Sequence, residues 1–523
     1  MHSAVVSYIE LSALSQSHTL SQSHIGVTSA LTKFALLLSV ALWLTMFVKS
    51  AGDELWLATD FMYLYDCGAE FVHPGLHQEQ VALVDGVVRS GGDDQLVYRA
   101  TLRASYCNNY LVASLSSYTA GRILSRLGIV NAKEDMGRYL IYALYWGMFV
   151  SGALIGLAVL FTAFRVRQDE LRISVASAVI IAAILVMAVP PAYTTWLFYQ
   201  GSPAPPAPLV KLDFVWWHYL QSWVSVGRAY RAFGITPRAN VCLLALAAFV
   251  LRWNGQRGLA YSIPIAVGFV HQSTALILLV VMIFCDFVTR PRVLLEWRCA
   301  VPLLLSAALI VLREHMLRIM NLEISPIFVV LVLGLAAAAF ILIKKRGSRI
   351  LALWSPVASF RDRTIGAVPE PLADATLIML IWVTIIPFIY ALAHHDAWYR
   401  TVYFWSELPP RYAGTFQLCV FAGFLFPLWN GLTARYPRAA GVLSVFVCLA
   451  AVAAIAFALR VPPKANLEAK SELGRRYDNS IVAMAAKTKK PEFRDEAVWY
   501  YLLARKAAAG DGDIRTLFDA GPD

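Results

Sequence analysis

The run from Gly258 to Val288, GLAYSIPIAVGFVHQSTALILLVVMIFCDFV, constrains this chain more than any other, because how it meets a bilayer fixes the side of every segment around it. As one helix it is roughly 46 Å long at ~1.5 Å per residue, well beyond an apolar slab of ~30 Å. Arg252 and Arg257 precede it, and Arg290, Arg292 and Arg298 follow it. Short basic loops belong on the cytoplasmic face, so both ends ask for the same side. The pattern predicts a helical hairpin: up from Gly258 to about Val270, a break at His271-Gln272-Ser273, and down from Thr274 to Val288. Each arm is short for a crossing, so the break falls near the outer face, where irregular backbone is tolerated only beside protein or water. His271 is then expected in a cavity open to the outside. A single long, tilted helix whose histidine bonds a neighbouring carbonyl is the other reading of the same run.

Composition agrees with a bilayer setting: 59% of the 523 residues are hydrophobic and only 15% are charged. The net charge of +11 comes from basic residues scattered through short loops between apolar runs, which is the positive-inside pattern and not a nucleic-acid surface. Residues 1–30 are rich in Ser and His and lack Lys and Arg, so they are expected to form a disordered cytoplasmic leader with no cleavable signal. Of seven cysteines, Cys242, Cys285, Cys299, Cys419 and Cys448 fall in or beside apolar runs and read as small core residues. Cys67 and Cys107 fall in the first large loop and are a disulfide candidate if that loop is extracytoplasmic.

In chain order, Leu31 to Val48 reads as the first span, followed by a long polar loop over residues 50–138 that opens with GDELW. Spans are expected from about Tyr139 to Phe164 and from Ile173 to about Tyr199, the latter kinked or stopped early by Pro190-Pro191. A turn-rich GSPAPPAP leads to residues 213–233, where Trp216, Trp217, Tyr219 and Trp223 mix with Arg228 and Arg231 in an interfacial or re-entrant helix. Arg238–Arg252, the hairpin, and five further apolar runs, starting at Ala300, Pro326, Ala375, Ala413 and Ala440, complete the membrane region. The fold class expected is an all-α polytopic membrane protein with about eleven transmembrane helices over residues 31–460. The polar residues 461–523 are expected as an extracytoplasmic helical tail.

No Walker loop, paired-cysteine metal motif or dinucleotide fingerprint is present, so polar residues near the outer face carry the candidate chemistry. Asp53 and Glu54 come directly after the first span, with Asp60 and Asp66 further on. A carboxylate at the mouth of an apolar cavity can act as general base or hold a divalent cation, and it can equally well just solvate the start of a loop. Arg228, Arg231, Arg238, Arg313, Arg318, Arg400 and Arg411 lie in or beside segments placed outside, against the topological trend. Guanidinium forks suit a lipid-linked phosphate, and snorkelling to headgroups is the plain alternative. The loop HHDAWYRTVYFWSELPPRYAG, from His394 to Gly414, sets Arg400, Glu407 and Arg411 among aromatic residues, the composition of a sugar-phosphate pocket or of an interfacial aromatic belt.

The general plan, one span followed by a long external loop opening on Asp53-Glu54 and then many short spans, resembles the GT-C fold of polytopic glycosyltransferases. That resemblance implies a sugar donor on a polyprenyl-phosphate carrier and a first-loop acid as catalytic base. Arg238, a short apolar span, a basic turn and HQSTALILL at His271 are similar to the Arg…His-x-Ser arrangement of exopolysaccharide repeat-unit polymerases, although the first loop here is longer and the tail is extra. Both resemblances imply a glycosyltransferase of the inner (plasma) membrane, surrounded by membrane lipids. It acts on a polyprenyl-(di)phosphate-linked sugar and a carbohydrate acceptor of the cell envelope. Asp53 and Glu54 are the expected catalytic acids, and Arg238, His271, Arg400, Glu407 and Arg411 the expected substrate ligands. A transporter or flippase of lipid-linked sugars is the rival from another class, since broken helices also serve transport.

Overall fold

The computed structural model describes residues 28–49, 68, 111–131, 136–188, 237–290, 293–294, 296–318, 368–382 and 399–460. Among these residues the secondary structure is helical throughout, with no strand. Among the described residues, five helices are long and apolar enough to cross a membrane, and shorter apolar helices cover Val241–Trp253, Arg257–Val270, Thr274–Thr289 and Trp297–Leu309. In chain order the elements are α1 (Thr28–Lys49), α2 (Leu111–Arg126), α3 (Met136–Arg165) and α4 (Asp169–Ala188). Next come α5 (Pro237–Trp253), α6 (Arg257–Val270), α7 (Gln272–Thr289) and α8 (Trp297–Arg318). The last three are α9 (Glu370–Leu380), α10 (Tyr399–Arg435) and α11 (Pro437–Arg460).

The overlong apolar run is broken at the expected place. His271 takes an extended backbone conformation, φ −157° and ψ 99°, between α6 and α7. Its Nδ1 accepts from the Thr274 backbone N–H at 3.3 Å and lies 2.6 Å from the Thr274 hydroxyl, so the HQST sequence supplies the N-cap of its own second helix. The chain then reverses. The Tyr261 hydroxyl on α6 reaches Asp286 on α7 at 2.6 Å, whereas in one continuous helix these residues lie about 38 Å apart. The hairpin is therefore real, and the single tilted helix is excluded.

Contacts between helix ends sort the bundle. Asn254, in the α5–α6 turn, bonds the backbone of Arg165 and Arg167 in the α3–α4 turn at 2.7 and 3.1 Å. Asp169 at the start of α4 accepts from Ser29 and Thr32 at the start of α1, at 3.3 and 3.1 Å. Arg257, Arg290 and Glu370 bring together the start of α6, the end of α7 and the start of α9. Gly258 lies under the Arg298 carbonyl, where an added Cβ would approach to 2.7 Å, so α8 also starts here. This cluster end gathers turns that the sequence marks with basic residues. By alternation, the opposite end holds the end of α1, the start of α5 and the His271 tip. We call it the tip end.

Residues that allow close approach hold the helices together, as expected where lipid replaces water and association depends on packing. Gly147 on α3 lies directly against the Ser117 backbone of α2, and Gly423 on α10 against the Pro371 carbonyl of α9. Aromatic pairs pack between other helices, Phe47 of α1 on Phe149 of α3 at 5.8 Å and Phe249 of α5 on Phe416 of α10 at 6.0 Å. Gly255 has φ +78°, and the bonds Gly255 N–H to Arg252 O and Gln256 N–H to Leu251 O close α5 with a Schellman turn.

Three expectations are corrected. Residues 50–138 were expected to form a polar loop, but Leu111–Arg126 within them is a helix whose Ala113, Ser114, Ser117, Tyr118, Gly121 and Leu124 are buried. It runs antiparallel to α3, with Gly121 near Tyr139 and Ala143, and it also packs on α6. The segment 394–414 was expected as a loop, yet the backbone is helical from Tyr399 onward and runs unbroken through Pro409 and Pro410 into the membrane-length stretch. His271 was expected in an open cavity, and its side chain is instead only 1% exposed. The third span is helical over Asp169–Ala188, and the expected kink or stop at Pro190-Pro191 lies outside the described residues. The expected interfacial helix 213–233, the run from Pro326 and the tail 461–523 lie outside the described residues.

Candidate functional site

Among the described residues, two places in the bundle bear on the candidate chemistry. At the tip end, α5 begins at Pro237-Arg238 and the hairpin turns at His271. The chain path thus brings the Arg238 and His271 backbone positions to one end, through two antiparallel helices of 17 and 14 residues joined by a tight turn. The α2 helix, supplied by the first long loop, lies along α3 and touches α6, the arm leading up to His271.

Of the other expected site residues, Asp53, Glu54, Cys67 and Cys107 lie outside the described residues. Arg400, Glu407 and Arg411 sit on the backbone of α10, ahead of the fully buried stretch 414–420. Their spacings of seven and four residues put these positions on one face of that helix. Among the described residues no group of three or more His, Cys, Asp and Glu side chains could hold a metal ion.

The second place is at the cluster end. Arg252, in the last turn of α5, is fully buried, as are Asp286 of α7 and Asp374 of α9. The guanidinium donates from Nε and Nη2 to Asp286 Oδ1 at 2.9 and 2.8 Å, from Nη2 to Thr289 Oγ1 at 3.2 Å, and from Nη1 to Asp374 Oδ2. Asp374 Oδ2 also accepts from the Trp253 indole at 2.7 Å, while its Oδ1 has no hydrogen-bond donor. Arg257 donates to Glu370 at 2.5 Å and places its Nε 3.5 Å from Asp286, and Arg290 approaches Glu370 from the exposed side at 3.4 Å. Three guanidinium groups and three carboxylates therefore meet with a formal charge of zero. Buried charge survives only when paired in this way, because desolvating an unpaired ion costs several kcal/mol or more.

Sequence reasoning saw the arginines of this cluster as topological markers and missed their partners. The signal was available: Asp286 is the single acidic residue in the run from Gly258 to Val288, and Asp374 stands in the apolar stretch ADATLIML. An acid inside an apolar helix requires a partner, and the arginines bracketing the run are the nearest candidates. No protein-family model, curated protein or solved structure matches the chain.

Proposed function

We propose that the protein is a glycosyltransferase of the inner (plasma) membrane with about eleven crossings. It takes a sugar from a polyprenyl-phosphate or diphosphate carrier and transfers or polymerises it onto a cell-envelope polysaccharide or glycolipid at the tip end, which faces outward. The observation carrying this reading is the packing of α2, from the first long loop, against the hairpin arm that leads to His271, at the end of the bundle where Arg238 opens α5. In sequence, Asp53 and Glu54 follow Lys49, the last described residue of α1, by only a few positions.

In the proposed reaction an acceptor hydroxyl attacks the anomeric carbon of the lipid-linked sugar, and Asp53 takes the hydroxyl proton, with Glu54 as a secondary acid. The bond to the carrier phosphate breaks, and the phosphate leaves with the bonding pair. Arg238, Arg400 and Arg411 stabilise it through charge-assisted bonds, and Glu407 takes sugar hydroxyls. His271 caps α7 and so fixes the tip against which the substrate lies. A divalent cation at the acids is compatible with this chemistry.

The test is direct. Purified protein in detergent, given a polyprenyl-diphosphate sugar and an acceptor, should release the lipid phosphate without a sealed compartment. The alternative, a transporter or flippase, draws on the same broken hairpin. Intact lipid-linked sugar in detergent, together with its movement across vesicles, would replace the transferase by the transporter.

A further inference from the structure

We propose that the Arg252 cluster is a lock: it seals the cluster end of the bundle and holds both feet of the hairpin, the end of α5 and the start of α9 as one unit that stays shut. The inference goes beyond the transferase reading and stands or falls separately from it.

Three observations carry it. First, the cluster draws on four different helix ends, and Arg252 alone touches two of the other three elements, Asp286 and Thr289 on α7 and Asp374 on α9. Second, the groups at its centre are wholly shielded, with Arg252, Asp286 and Asp374 each at 0% exposure, although Arg290 at the rim is half exposed. A helix-end ion pair that merely decorated a surface would be wet. Third, the arms it holds are too short to be fixed by the bilayer alone, 14 residues in α6 and 18 in α7. Hydrophobic matching leaves such arms free to shift along the membrane normal, and the ion pairs set their depth instead. Separating α7 from α5 would take Asp286 and Thr289 from the Arg252 guanidinium in a water-poor interior and leave it Asp374 alone, so closure is strongly favoured.

Cys285 lies one residue before Asp286 and is fully buried, so it reports whether this end is sealed. Cys242 is equally buried on α5, ten residues before Arg252 and so about 15 Å further toward the tip end. Two otherwise cysteine-free chains, one keeping Cys285 and the other Cys242, are reacted with N-ethylmaleimide in membrane vesicles. Both thiols should stay unlabelled over a period that labels the denatured protein completely. Arg257→Gln, which unties the outer pair to Glu370, should raise Cys285 labelling at least tenfold and leave Cys242 protected. Arg257→Lys, which keeps the charge, should stay close to the parent chain. The proposal is overturned if Cys285 labels readily in the parent chain, if Gln and Lys behave alike, or if Cys242 rises together with Cys285, since that would make the cluster a brace for the whole fold. Adding polyprenyl phosphate to the parent chain provides the remaining arm. No change supports the lock, whereas ligand-dependent labelling of Cys285 would make the cluster a gate that opens in use.

Discussion

The Tyr261 hydroxyl bonds Asp286 Oδ2 at 2.6 Å, joining two helices that the chain connects only through His271 at the far end of the hairpin. Both oxygens of Asp286 are thereby engaged, since the other one is held by Arg252. A buried carboxylate with both oxygens engaged fixes the register of α6 on α7, because a shift of one residue would leave it unpaired.

Tyr261→Phe keeps the ring and removes that bond. Hydrogen bonds to charged groups contribute about 1.5–3 kcal/mol, so stability in detergent should fall by that amount, read as a lowered unfolding midpoint in a denaturant titration. No change would mean that the hydroxyl is not bonded in the folded protein.

Same-side exposure of the two feet follows from the hairpin. Leu259 is 48% exposed and the Arg290 side chain 57%, so cysteines placed at both should react with an impermeant maleimide from the same side of sealed vesicles. Labelling from opposite sides would contradict the fold.

Removing the central cation should be far more damaging than removing the tyrosine hydroxyl. Arg252→Ala leaves Asp286 and Asp374 buried without their charge partner, and breaking a buried pair from one side costs about 3–5 kcal/mol. Arg290→Ala, at the wet rim, should cost no more than about 1 kcal/mol.

Two substitutions at the tip separate capping from chemistry. His271→Ala should lose about 0.5–2 kcal/mol through the missing N-cap, while His271→Asn, which can accept the Thr274 N–H, should restore most of it. If His271→Asn is stable yet inactive, the imidazole serves the substrate as well as the helix.

For the proposed base, Asp53→Asn should lower transfer at least ~100-fold with insertion unchanged. Full activity in that variant, with loss in Asp60 or Asp66 variants, would move the role along the loop.

Much of the helical plan was legible because it depends on strong one-dimensional signals. The apolar runs marked α1, α3, α5 and α11 to within a few residues, and arginines on both sides of an overlong run revealed the hairpin. What was missed depends on tertiary contact. The α2 helix carries Ser114, Ser117 and Gly121 on its buried face, residues that read as loop until the small side chains are seen to admit α3. The helix from Tyr399 passes through Glu407, Pro409 and Pro410, a combination that sequence rules treat as a break. The cluster joins positions more than a hundred residues apart, Arg252 with Asp374 and Arg257 with Glu370, which no local pattern connects.

The neutrality of the Arg252 cluster gives its arginines two successive roles. Before α9 is made, Arg252, Arg257 and Arg290 outnumber the one carboxylate of the cluster already in the chain, Asp286, and an excess of positive charge favours the cytoplasmic side for the turns that carry it. Once Glu370 and Asp374 arrive, more than seventy residues after Arg290, those charges are matched. Arginines that can orient the nascent chain thus become, in the finished protein, parts of one tie whose centre at Arg252 is wholly buried and whose rim at Arg290 stays half exposed.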